Sequence, residues 1–172
     1  MTEKLQMKLC GDDALRVKCA PVDDASEIKK TLNTMVCMMD DQRGVGLAAP
    51  QVGLAQRFFV MREVKNKNDT GVVHCIINPE IVSKSENNCV IEEGCLSVLG
   101  PDDLPVFADV SRPEKITACW TDENGRVQTR EFDGFAARTF QHEFDHLDGI
   151  LFIDYLPPVK REMVMRRVRK RK

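Results

Sequence analysis

The nine residues from Gln141 to Gly149 read QHEFDHLDG, and their conformation decides what must surround them. On a helix, His142 and His146 stand one turn apart and roughly 40° apart around the axis, so both imidazoles can share one metal ion. Glu143 falls about 60° beyond His146, where a carboxylate can approach a water held by that ion. From Phe135 onward Ala137, Phe140, Phe144 and Leu147 form an apolar stripe at helical spacing, and Gly149 is placed to stop it. The chain has three histidines and spends two here. Near the edge of a core, an imidazole without a partner is costly.

Outward from this helix the pattern becomes β-rich. RFFVMREV, VVHCIINPEIV, CVIEEGCLSV, KITACWT and VQTREF are short strand-like runs. The last two are joined by DENGR, whose Asn-Gly pair is a hairpin signal. Ile116, Ala118 and Trp120 alternate, as on a sheet with one buried face. RGVGLAAPQVG, VKNKNDTG and GPDDLPVFADVSRP read as loops. Between Ser26 and Arg43, Ile28, Leu32, Met35, Val36 and Met39 predict an amphipathic helix, with Asp24 and Glu27 placed as a capping box. The expected fold is α+β: small antiparallel or mixed sheets packed around a central motif-bearing helix, with an N-terminal amphipathic helix and a basic C-terminal helix.

At 172 residues the chain fits one domain over 1–172 that buries roughly two thirds of its unfolded surface. The 42% hydrophobic fraction includes no apolar run long enough to span a membrane. The N-terminus lacks the apolar core of a secretory signal, which predicts a cytoplasmic protein. Seven cysteines without a CxxC pair argue against a disulfide framework and a zinc ribbon. The net charge of -2 hides an asymmetry, because residues 160–172, KREMVMRRVRKRK, hold eight bases and one acid. Such a basic tail suits a polyanion such as RNA, or simply a solvated end.

A catalytic zinc-type site takes three protein ligands and keeps a position for water. The HExxHxxGxxH protease pattern fails here, since Phe152 stands where its last His belongs. Glu162, the one glutamate after the motif, lies in the basic tail. The third ligand is therefore upstream: His74, a carboxylate or a cysteine, with Cys95 prominent because it follows a glycine at the end of a β-rich run.

Taken together, GVGLAAPQVG (44–53), EEGCLS (92–97) and QHEFDHLDG resemble, in this order and roughly this spacing, the three signature motifs of peptide deformylase. INPEI, the DENG turn and LFIDYL look like further family features, so the resemblance spans nearly the whole chain. It implies a hydrolase that removes the formyl group from the formylmethionine of nascent peptides. Cys95, His142 and His146 would bind one divalent metal, usually Fe(II), with Zn(II), Ni(II) or Co(II) as substitutes. Glu143 would be the general base for a metal-activated water, and the Gln51 amide and the Leu96 backbone N–H would donate to the developing oxyanion. The peptide would add as a strand against Val45, Gly46 and Gly94, and Phe135, Arg138 and Thr139 would help line a methionine pocket. The resemblance also implies ribosome contact through the basic tail, with Val164 and Val168 folding it onto an RNA surface.

One stretch departs from the family pattern. CLSVLGPDDLPVFADVSRP has Leu99 where a proline is common and a longer path to Arg112, so the loop is expected to flank the cleft and alter peptide preference. The alternatives are a zinc peptidase of HExxH type with another third ligand, and an RNA-binding module with a structural metal.

Overall fold

The computed structural model describes residues 5–64 and 70–171. Most of VKNKNDTG therefore lies outside the described residues. The first regular helix, α1 (Lys29–Asp41), begins three residues later than its apolar pattern suggests. The expected capping box does not form. The Asp24 side chain instead accepts from the Ser26 N–H at 2.8 Å, closing a turn ahead of the helix. Leu32, Met35 and Met39 form the buried face of α1.

The strands that follow are β1 (Gly46–Ala48), β2 (Phe58–Glu63), β3 (Val72–Lys84), β4 (Asn88–Glu93), β5 (Ala108–Pro113), β6 (Lys115–Thr121) and β7 (Val127–Asp133). Five make one sheet in the order β1-β2-β3-β6-β7, and β4 pairs with β5 apart from it. Every strand pairing is antiparallel. Two segments expected as loops hold strands. Gly46–Ala48 pairs with Phe59–Met61 and leads into a 3-10 turn over Ala49–Val52. Ala108–Pro113 pairs with Asn88–Glu93 in unbroken register. The hairpin at Asn124-Gly125 forms as read, with Gly125 at φ 76° and Asp122 accepting from the Asn124 and Arg126 N–H groups.

Helix α2 (Gly134–His146) carries the histidines, and Gly149 beyond it takes φ 72°, the left-handed conformation that ends helices. Its Ala137 and Phe140, with Leu147, pack on the face of the large sheet bearing Phe59, Ile76, Ile116, Ala118, Trp120 and Phe132. Phe140 is wholly buried and meets Phe59 edge-on at 5.1 Å between centroids. Helix α1 covers the opposite face, on Phe58, Val60 and Ile77. A third apolar cluster joins Cys95, Val98, Val106 and Val110 to the segment after α2, at Leu151, Phe152 and Ile153. The cysteine, just beyond β4, and the helix carrying the histidines are thus each anchored in a core.

Helix α3 (Pro158–Arg169) contains most of the basic tail. Here the expectation for Val164 and Val168 needs correcting. Val164 is buried in the third cluster and Val168 packs against it, so both serve this chain's own core. The arginines face outward, and Arg171 reaches Asp103 in the loop after β4. No described helix is long and apolar enough to cross a membrane.

Candidate metal centre

Each ligand position follows from local periodicity. Glu93 ends β4 and Cys95 follows two residues later, so both face inward, while Glu92 just before them points to solvent. On α2, His142 and His146 project towards that strand end from successive turns. The ligand atoms of Cys95, His142 and His146 all lie within 4.8 Å of one another, and all three residues are buried. The Cys95 sulfur stands 3.4 Å from His146 Nε2. His142 turns Nδ1 outward to Glu93 Oε2 at 2.9 Å, which leaves its Nε2 for the cluster. His74 is not part of it: this ring sits on β3, 2.9 Å from Glu63 and edge-on to Phe132.

The donor set fits a divalent cation. A thiolate and two imidazoles are borderline-soft ligands suited to Fe(II) or Zn(II). Beside them Glu143 Oε2 is buried without a hydrogen-bond partner among the described residues. Burial, the largest influence, raises the Glu143 carboxyl to about 7, opposed by nearby His142 and reinforced by Glu93. Burial also disfavours charge on both imidazoles. For His142 the hydrogen bonds to Cys95 and Glu93 outweigh burial and hold its pKa well above the ordinary value. For His146 the neighbouring His142 adds to burial and pushes it well below. A cation bound by these ligands requires both ring nitrogens facing the cluster to be free of protons, so binding it would release a proton from His142.

Glu93 is the functional residue that sequence reading missed. Its carboxylate receives Arg112 Nε at 2.6 Å, Arg138 Nη1 at 2.7 Å and His142 Nδ1 at 2.9 Å. Burial pushes its pKa up, but the His142 and Arg112 hydrogen bonds overcome this and hold it far below the usual carboxylate range. Arg112 extends the network to Asp145 at 2.6 Å. The available signal was an acid two residues before the candidate ligand cysteine, which extended chain turns to the same side.

The remaining expected residues converge on one cavity of about 210 Å³, lined by Val45, Gly46, Gly94, Leu96, Phe135, Arg138 and Thr139 together with Gln51 and Glu143. Gly46 is required where it lies, because a Cβ there would collide with the Glu143 carboxylate. Gln51 is buried and oriented: its Oε1 accepts from the Ala48 N–H at 2.8 Å, which turns Nε2 towards Cys95 Sγ at 3.4 Å and Ser97 Oγ at 3.1 Å. Arg138 borders the cavity, but its guanidinium is directed away, to Glu93, the Val110 carbonyl and the Cys89 carbonyl.

Residues 5–162 match the sequence family described as polypeptide deformylase. The chain belongs to this family. A peptide deformylase of Endomicrobium trichonymphae is 45% identical over 170 residues, covering 98% of this chain and 96% of the relative. The crystal structure of peptide deformylase from Ehrlichia chaffeensis in complex with actinonin superposes with a TM-score of 0.88 at 35% identity, covering 96% of both chains. That from Thermotoga maritima gives 0.79 at 42% identity, covering 90% of this chain and 98% of its own. Deformylase membership accounts for all three motifs at once. A peptidase with another third ligand, or an RNA-binding module with a structural metal, leaves the first two unexplained.

Proposed function

We propose that this chain hydrolyses the formyl amide of N-formylmethionine on newly made proteins in the cytoplasm, with one Fe(II) held by Cys95, His142 and His146. The observation that carries this reading is the convergence of those three ligand atoms beside a buried carboxylate oxygen that has no partner among the described residues. When bound, the cation lowers the pKa of a water and polarises the formyl carbonyl. Glu143 takes the proton of the attacking water and returns one to the departing amine, for which its burial and open oxygen suit it. Gln51, held by Ala48, presents its amide N–H groups beside Cys95 and donates to the carbonyl oxygen as charge grows there, and the Leu96 N–H assists. Val45, Gly46 and Gly94 flank the peptide backbone, while Phe135 and Thr139 border the methionine side chain. Arg138 contributes by fixing Glu93, and Glu93 fixes the His142 ring.

Protein purified without oxygen should release formate from formyl-methionyl peptides in proportion to bound metal, and actinonin should inhibit it. Metal-replete protein that releases none would refute the reading. The outward arginines of α3 support a second element, docking on ribosomal RNA. Because deleting the tail would also strip Val164 from the core, charge reversal at Arg166, Arg167 and Arg169 is the cleaner test. Ribosome binding should weaken steeply with salt in the wild type and vanish in the reversed variant.

A further inference from the structure

The cavity of about 210 Å³ beside the metal ligands opens to solvent at a rim, and a peptide continuing beyond formylmethionine would leave across it. Among the lining residues four are exposed: Arg43, Glu92, Phe107 and Phe135. Arg43 and Glu92 can act on charged side chains, while the two rings are the exposed apolar surface of the rim.

Phe107 is held unusually firmly for an exposed aromatic. Its ring is 53% accessible, yet the preceding Val106 is 1% accessible and anchored in the third core cluster. The Val106 N–H donates to the Val98 carbonyl at 2.9 Å, the Gly100 N–H donates to the Leu104 carbonyl at 2.9 Å, and Leu99 bridges Pro105. The longer loop after Cys95 therefore closes on itself and brings Phe107 back to the cavity mouth. There the ring lies against Gly94, where an added Cβ would come within 2.9 Å of three ring atoms. The Cδ1–Cε1–Cζ side of the ring is seated on the Gly94 backbone beside the metal ligand, while about half of the residue is open to solvent. Phe135, 45% accessible at the start of α2, adds apolar surface to the same rim.

We propose that Phe107 is a specificity determinant that receives an apolar side chain from the residue immediately after formylmethionine, a role resting on the deformylase reading above. Covering a ring already fixed in place costs little ordering, so apolar surface buried against it translates into affinity. Acidic and very small second residues draw nothing from this surface.

The test compares kcat and KM for formyl-Met-X-Ser amides with X as Leu, Phe, Gly or Asp, using metal-replete enzyme. Wild type should favour Leu and Phe over Gly by about tenfold, mainly through KM. Phe107→Ala should remove that ratio while leaving the Gly peptide unchanged, and Phe107→Leu should retain most of it. Phe107→Lys keeps an aliphatic stem on Gly94 and should shift preference towards Asp. An equal loss on every peptide in Phe107→Ala, or an unaltered ratio, would overturn the proposal and make the ring a prop for the loop. Failure of metal-replete wild type to cleave any of the four would instead overturn the deformylase reading itself.

Discussion

Two regions of the site meet at His142, and a buried glutamate stands in each, one from β4 and one from α2. On the β4–β5 side Glu93 is enclosed by Arg112, Arg138 and His142, and its charge is locked in. On the β1 side Glu143 lies against Gly46, one oxygen has no partner among the described residues, and burial lifts its carboxyl to about 7. The same kind of side chain therefore has two characters within one site. Donors decide which: a carboxylate surrounded by cations cannot take a proton near neutral pH and serves to orient, whereas one denied donors is ready to exchange it.

Substitutions can test this division, beginning with the largest effect. Glu143→Gln should reduce turnover by roughly 10³-fold with metal content by mass spectrometry unchanged, and near-normal turnover would end the distinction. Glu93→Gln should act on the other axis. Urea denaturation should show a loss of about 3 kcal/mol or more, as expected when buried charges lose their counterion, and metal affinity should fall roughly 10- to 100-fold. Arg138→Met removes one of three donors while Arg112 still pairs with Glu93, so its cost should be smaller, about 1.5–3 kcal/mol. A cost equal to that of Glu93→Gln would mean the cluster behaves as a single unit.

A half-buried counterpart sharpens the contrast. Asp154 binds Arg16 and Arg161 at the surface after α2. Burial raises its pKa, but the Arg16 hydrogen bond and the Leu151 N–H lower it more, so the folded value lies below the ordinary one. Its stabilisation is therefore present above about pH 3.9 and lost as pH falls through the folded value. Asp154→Asn should cost no more than about 1 kcal/mol at neutral pH, and this difference from wild type should disappear as the pH is lowered through that window in thermal melts.

Much of the centre is legible in the sequence because helix and strand periods carry it. His142 and His146 share a face at one-turn spacing, Gly149 ends the helix, and alternation in KITACWT marks the buried side of β6. Partner-dependent features are not legible. Gly46–Ala48 is too short to declare itself and is a strand only through β2. Ala108–Pro113 reads as polar because one of its inward residues is Arg112, made tolerable by Glu93 and Asp145 from other segments. Val164, expected to fold the tail onto RNA, is misplaced for the same reason, since its burial depends on Leu151, Phe152 and Ile153 packing around it. Arg138 borders the cavity as its place on α2 suggests, but only the fold reveals that its charge turns inward.

The pairing of Glu93 with Ala108 closes the register of the small sheet. Sliding β4 by one position would rotate Glu93 outward and displace Cys95 just beyond it, taking the shared counterion from Arg112 and Arg138 and dismantling the ligand set in the same movement. An ordinary hairpin tolerates misalignment at the expense of a little packing; this one converts any misalignment into an electrostatic fault, so that correct threading and the capacity to hold a cation are a single event.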